Sequence, residues 1–525
     1  GRHMQDELVR HGFRGVVTDA IFDLFAPSRA YMHYHGGVRI LSETASANGP
    51  LPLRISPEAL VGDEGGNFNP RIPTPNFPAV WPGGRWGLND IVEIMEAGAL
   101  SLLRHAASNR TAWLRNFAEV QVRAVEGGTW ANWPAAWAIP NDGANEAGVE
   151  QLLRVLTSAD VEVRTLNRPH AVGDRSLPEG SYVVWMRQPF ASFAQAVLGE
   201  TDYPDLRGFR GSAPPRPYDA TAHNLPLLLG VEVIALDDVE EEQLSPPLPP
   251  FEIFTFPVPP HLMGPDAPRI GLYRSYQEPM TLGWTRWLFD MAGIRYDELR
   301  NADLDAPDLA DRYDVLLFQD QSPASIRNGF SPRVIPAPYA GGVGVRTEAR
   351  LAEFLRQGGR IVAIDEATDW AIQAFGIGAR SAIALLPRES FSIPGSIVRL
   401  ETEPSHPFAR GVPRETAAWF SLSSRAFERS DPQIEVLARY APDRTRLAGW
   451  VVGEEFIQGM PAVLEAPYGE GSVVLFGFQP NYRGQSLATW PLLFNALQRG
   501  SPRWTEAPGQ SVEAEPEIAS AGLGG

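Results

Sequence analysis

Glu43 is the residue whose type and setting point most directly to chemistry. Residues 35–48 (HGGVRILSETASAN) pass from a Gly-Gly pair into Val38, Ile40 and Leu41, a spacing that predicts a strand, and leave one carboxylate between Ser42 and Thr44 at its far end. A carboxylate there is costly unless it is paired or has work to do. It suits a proton acceptor in catalysis, or an ion pair with Arg39, which lies on the same predicted strand face. His33 and His35 alternate and so share a face; two such ligands are too few for a structural zinc site, and the alternative is a pair of histidines lining a polar cleft. A second cluster, Asp365-Glu-Ala-Thr-Asp369, follows Arg360 and the apolar run 361–364. It suits an acidic sugar- or metal-binding loop, or a solvated helix N-terminus whose dipole favours acids. Gly341-Gly-Val-Gly344 reads as a loop before a helix rather than a phosphate loop.

The chain that must position these groups has 525 residues, a length that corresponds to roughly three domains. With 44% hydrophobic residues and 14 tryptophans it can bury sizeable cores. A net charge of -18 argues against a nucleic-acid or anionic-membrane partner, since phosphates demand clustered basic residues. All 45 basic residues are arginine, so no Schiff-base or P-loop lysine exists. Cysteine is absent, which removes disulfides, thiolate metal sites and cysteine nucleophiles. No apolar run is long enough to span a bilayer. The chain opens on Gly1 and at once reads as a helix, which predicts further residues upstream, with which any signal peptide would have gone.

Helix and strand periodicities divide the chain. Residues 1–126 alternate helix and strand, with a strand at 16–19, the Glu43 strand, a Gly/Pro-rich loop and two helices from about Leu88 to Val125. A small α/β module spans 136–236, with Val149, Leu152, Leu153 and Leu156 striping one helix. Residues 237–268 form a Pro-rich acidic linker, too rich in proline for a sheet interior. From 269 to 504 strands and helices alternate again, predicting a mostly parallel, doubly wound sheet. The tail 505–525 is acidic and poor in apolar residues, and is expected to be disordered. The fold class expected is thus multidomain α/β.

Residues 31–46 (YMHYHGGVRILSETAS), the Gly/Pro loop and residues 81–93 (WPGGRWGLNDIVE) resemble the C-terminal half of carboxypeptidase A-type zinc metallocarboxypeptidases, in particular large bacterial members with added C-terminal domains. The resemblance covers about residues 1–126. It implies that Glu43 is the general base taking a proton from zinc-bound water, and that the substrate is a peptide cleaved at its C-terminal bond. The family's His-x-x-Glu pair and later histidine should lie upstream of Gly1, because none of the nine histidines has a glutamate three residues on. The metal ligands in this chain are therefore none, the zinc would be held elsewhere, and the chain alone is expected to be inactive. Alignment puts Phe22 where the family has its substrate-binding tyrosine; Tyr31 and Tyr34 are the candidate substitutes, the alternative being that they pack the strand. The family's carboxylate-holding arginines should lie upstream, with Arg39 the candidate substrate contact here and Arg29 also nearby. The family also implies a secreted or periplasmic location.

Residues 269–504 resemble class I glutamine amidotransferase-like folds in element order and in the run Gly-Gly-Arg-Ile-Val-Ala-Ile-Asp365. Those enzymes carry a cysteine at the strand-to-helix elbow, and here Asp365 stands at about that place, so a non-catalytic binding or assembly module is implied. The expected function is part of a zinc carboxypeptidase; the alternative is a pseudo-peptidase scaffold whose amidotransferase-like domain binds a ligand or partner.

Overall fold

The computed structural model describes residues 1–20, 30–47, 51–62, 68–126, 133–201, 203–209, 211–215, 217, 219–252, 256–333 and 335–498. It is a mixed α/β structure with several sheets.

Residues 1–126 are mainly helical. Helix Arg2–Arg10 packs against helix Leu88–Ser108, where the absence of a side chain at Gly98 lets Met4 and Leu8 approach. Asp90 accepts a hydrogen bond from the Gly87 N–H (2.8 Å) and so starts the longer helix, which is followed by helix Arg110–Glu126. The strand pair described here is Leu53–Ile55 with Gly84–Trp86. Residues 35–47 form no strand, contrary to the reading of the Val38–Leu41 run. A strand needs a neighbour to take its backbone N–H and C=O groups, and none of the described strands pairs with this one. The run 16–19 is likewise not a strand; Gly15 and Thr18 instead donate to the carbonyls of Ala79 and Asn76. His33 and His35 do not alternate on a strand either, since helix Tyr31–Tyr34 occupies that position.

Residues 1–126 also bury little. Among their described residues the buried apolar side chains are Leu8, Ala30, Ala47, Phe77 and Ala124, whereas Leu88, Val92, Met95 and Leu103 on one helix and Leu114, Val122 and Val125 on the next are exposed. At helical spacing these form two apolar stripes turned to solvent.

Between 136 and 236 an antiparallel sheet runs in the order Arg164–Thr165, Tyr182–Trp185, Ala136–Ile139, Ile234–Leu236. Helix Glu146–Ser158 covers one face through Leu152, Leu153 and Leu156; Asn145 caps it by accepting from the Gly148 N–H (3.1 Å). Residues 237–252 lie along this sheet without forming a strand, with Ser245 and Leu248 donating to the carbonyls of Thr165 and Val163.

The largest sheet has ten strands, in the order Tyr296–Leu299, Ile270–Tyr273, Val315–Phe318, Arg360–Ile364, Gly471–Phe476, Pro461–Tyr468, Glu435–Tyr440, Ser396–Thr402, Glu415–Phe420, with Arg446–Ala448 also against Ser396–Thr402. The first five are parallel. Every pairing beyond Gly471–Phe476 is antiparallel, so the parallel arrangement holds for only half of the sheet. Val315–Phe318 and Arg360–Ile364 are buried at every residue, as strands covered by helices on both faces must be. One face shares a continuous apolar core with the small sheet, joining Leu152, Leu228, Leu272, Leu288 and Phe476; the other is filled by Phe318, Phe354, Leu355 and Trp370.

Candidate functional site

In open sheets with parallel strands, ligands bind outside the carboxyl ends of the strands, near the point where strand order reverses. Here the chain leaves Ile270–Tyr273 for one neighbour, Tyr296–Leu299, and then returns to the other, Val315–Phe318. At this edge the apolar strands end in polar residues: Gln319, Asp320 and Gln321 after Phe318, Asp365 after Ile364, and Gln479 and Asn481 beyond Phe476.

Asp365 makes the turn from strand Arg360–Ile364 into helix Glu366–Phe375 with φ 50° and ψ -122°. A side chain other than glycine costs about 1–3 kcal/mol in such a conformation, and the cost persists only where surroundings enforce it. Here the Asp365 N–H donates to Phe476 O (2.8 Å), and Asp365 O accepts from both the N–H (3.0 Å) and the hydroxyl (2.5 Å) of Thr368. The Asp365 side chain is completely buried.

Around it stands a connected polar group. Asp320 Oδ1 accepts from the Glu366 N–H at the helix start (3.2 Å), and the Ser423 hydroxyl reaches Asp365 Oδ2 at 3.5 Å. Arg425, from the Ser421–Arg425 turn, donates to Asp369 Oδ2 (2.8 Å), to Glu366 Oε1 (3.3 Å) and to the carbonyl of Ser423 (2.6 Å). Tyr440 Oη donates to the Arg425 carbonyl (2.7 Å) and fixes that turn. Burial, then the neighbouring Asp320 charge, push the Asp365 carboxyl well above the usual carboxylate range, against smaller opposing effects of Ser424, Gln479 and Arg425. Asp320 is also raised, chiefly by burial, with Ser423 and the Glu366 N–H opposing. For Arg425 burial works against the charge, but the Asp369 and Glu366 carboxylates outweigh it and raise its pKa. Burial and the Asp320 charge both favour the protonated form of Asp365, in which the carboxyl can donate as well as accept. The sequence reading of this helix start as solvated does not hold at Asp365.

Several atoms here lack hydrogen-bond partners. Both terminal atoms of Gln319 and Oδ1 of Asn481 are buried with none, and Gln479 and Asp365 Oδ1 make no close hydrogen bond, although the Gln479 amide stands near enough to favour the Asp365 carboxylate. Buried polar groups are paired in the large majority of cases, and an orphan costs about 1–3 kcal/mol.

The residues suggested by sequence lie elsewhere and do not converge. Glu43 is exposed, on a segment without regular structure. Tyr31 stacks on His35 (4.1 Å between ring centroids) and meets Phe193 edge-on, docking the short helix onto the small module. The Tyr34 carbonyl accepts from Ser192 Oγ (2.6 Å), and Arg39 is half-buried. His35 is buried with its two ring nitrogens against the carbonyls of Tyr31 (2.8 Å) and Ala159 (2.9 Å), which makes it an anchor, while His33 is exposed. Phe22 and Arg29 fall outside the described residues, as does the tail 505–525. The zinc implied by the resemblance finds no donor set: among the described residues no three His, Asp or Glu side chains group as metal ligands do. Of the edge, sequence reasoning singled out the Asp365–Asp369 run but missed Asp320, Gln319 and Gln479. Their signal was available, a polar residue just beyond each all-apolar strand.

No family model matches the chain, and no curated protein does. Among solved structures, a cytoplasmic protein of Salmonella typhimurium aligns at 12% identity over 45% of this chain and 99% of its own, with a TM-score of 0.30. An exo-beta-1,4-mannosidase from Opitutaceae bacterium strain TAV5 aligns at 16% identity over 45% of this chain and 36% of its own, with a TM-score of 0.28. A beta-galactosidase from Bacillus circulans aligns at 14% identity, covering 43% and 30%, with a TM-score of 0.26. At these values the likenesses carry no argument about this chain. Among the described residues no helix is long and apolar enough to cross a membrane.

Proposed function

We propose that this chain is a non-catalytic binding protein that holds a small polar ligand at the carboxyl edge of its ten-stranded sheet. The observation that carries this reading is the set of orphaned polar atoms on Gln319, Asp365, Gln479 and Asn481, all at the ends of neighbouring strands. They stand beside Asp365, whose strained backbone the surrounding hydrogen bonds hold in place. A bound ligand supplies what the fold withholds. Thermal denaturation of the whole chain against a chemically diverse small-molecule library tests this. A compound that raises Tm in the native protein and not in Gln479→Leu is expected; a library-wide absence of such compounds refutes the reading.

A second reading has its own observation. The apolar stripes on helices Leu88–Ser108 and Arg110–Glu126 need a covering polypeptide, and the carboxypeptidase resemblance makes that polypeptide the remainder of a peptidase domain, with Glu43 as proton acceptor. Glu43→Gln in the protein so completed then abolishes hydrolysis of a C-terminal peptide bond; unchanged hydrolysis removes this role.

A further inference from the structure

We infer that helix Leu88–Ser108 is an interface between two copies of this chain, which pair antiparallel through its exposed apolar stripe with Ala99 at the two-fold axis. The inference goes beyond the ligand-binding reading and does not depend on it. It sets a second copy where the peptidase resemblance would set the remainder of a domain.

The stripe begins in the sequence. Leu88, Val92, Met95, Ala99, Leu103 and Ala106 follow one another at intervals of four, three, four, four and three residues, the spacing of one helix face. Their order is symmetric about Ala99: Met95 and Leu103 stand four residues to either side, Val92 and Ala106 seven. An antiparallel pair related by a two-fold axis requires that symmetry, because residue i of one copy then meets residue j of the other, and j meets i. Met95 thus lies against Leu103 of the second copy and Val92 against Ala106. The small side chain of Ala99 lets the two backbones approach where the helices cross.

The area is of the size a stable pair needs. Helix Arg2–Arg10 occupies another side of the helix, where Gly98 and Ser101 are buried, and leaves this one bare. Leu88, Val92, Met95 and Leu103 are 54–65% exposed. At roughly 100 Å² apiece they present about 400 Å² of apolar area; an interface is only about three-fifths apolar, so this corresponds to about 700 Å² buried per copy, close to the roughly 800 Å² of a stable protein–protein contact. The stripe itself carries no charge, so the pairing buries no ionised group within it. A lipid surface fits less well. Interfacial helices are rich in lysine and arginine on their polar face, whereas here Glu93 and Glu96 are exposed and the chain has a net charge of -18.

The test is sedimentation equilibrium of the full chain across the micromolar range, which is expected to give twice the chain mass at the upper end. Met95→Glu or Leu103→Arg alone is expected to weaken dimerisation roughly tenfold or more, because each sets a charge against an apolar side chain of the other copy. The two substitutions together are expected to restore it, because in this register the introduced carboxylate meets the introduced guanidinium. Both positions are exposed in the single chain, so neither change is expected to unfold it. The chain has no cysteine, so Ala99→Cys places the only thiols of the dimer on the axis. Mild oxidation should then yield a covalent dimer, whereas Val345→Cys, exposed on another helix, should not. A monomer across the whole range overturns the inference and leaves the stripe to the cover of the second reading. A dimer that neither single substitution weakens overturns it as well. Losses that the double change does not restore, with no cross-link at position 99, overturn the antiparallel pairing.

Discussion

Replacing Asp365 by asparagine isolates the proton that the fold forces onto this carboxyl. The substitution is nearly isosteric and keeps an acceptor at the elbow, so its chief effect is on the pH dependence of stability. In the native chain burial and Asp320 raise the Asp365 pKa well above its ordinary 3.8, whereas in the unfolded chain the group ionises near that ordinary value. From there up to its native pKa, the folded protein holds one proton that the unfolded chain has released. The unfolded state then binds fewer protons, so stability is greatest below the unfolded pKa and falls as pH rises through the window. One proton corresponds to about 1.4 kcal/mol for each pH unit within that window. Urea unfolding of both proteins, read by hydrogen-exchange mass spectrometry on peptides covering residues 360–376, measures this for the ten-stranded sheet itself. Asp365→Asn is expected to lose that steeper decline, and other titrating groups cancel in the comparison. Parallel pH profiles would refute the reasoning, since the buried carboxyl would then carry no extra proton.

Three further outcomes follow from the packing. Arg360 and Glu465 form a buried ion pair at 2.9 Å, so Glu465→Gln leaves a buried guanidinium under-compensated and should cost about 3–5 kcal/mol in denaturant titrations, whereas the double change Arg360→Met with Glu465→Leu should recover most of it. Gly449 has φ 94°, and a Cβ there would stand 2.7 Å from Thr221 Oγ1 and 2.8 Å from Ser396 Oγ; Gly449→Ala should destabilise by about 2–3 kcal/mol, read as a lower urea midpoint. Burial lowers the His223 pKa below its ordinary 6.5, so this residue lowers stability as pH falls below that value, when the unfolded chain takes up a proton that the native one refuses; His223→Gln should flatten the decline in Tm on acidification.

The elements with a strong period were legible from the sequence. Leu152, Leu153 and Leu156 do line the buried face of a helix, and Val315–Phe318 and Arg360–Ile364 are strands. What periodicity could not supply was pairing. Val38, Ile40 and Leu41 have the composition of a strand, yet a strand exists only where another backbone lies beside it, and that depends on residues far away in sequence. The same holds for the antiparallel half of the large sheet, whose partners are set by the return of residues 461–476 to the centre. At the carboxyl edge, Asp365 announced itself through an acidic run. Gln319 and Gln479 look like ordinary surface amides until the fold buries them side by side with neighbouring strand ends.

The position of Gly471–Phe476 shapes how this protein is made. It lies between Arg360–Ile364 and Pro461–Tyr468, joining the parallel and antiparallel halves, but it is among the last strands in the chain. A ribosome that has delivered residues up to 364 has produced four wholly or partly apolar strands with an open flank at Arg360–Ile364, and more than a hundred further residues must be translated before that flank is closed. Until then Arg360 lacks Glu465, and the flank is a template for wrong pairing between nascent chains. Completion of the sheet is therefore a late, long-range event, and substitutions in 461–476 should lower yield during synthesis in addition to any effect on the stability of the finished protein.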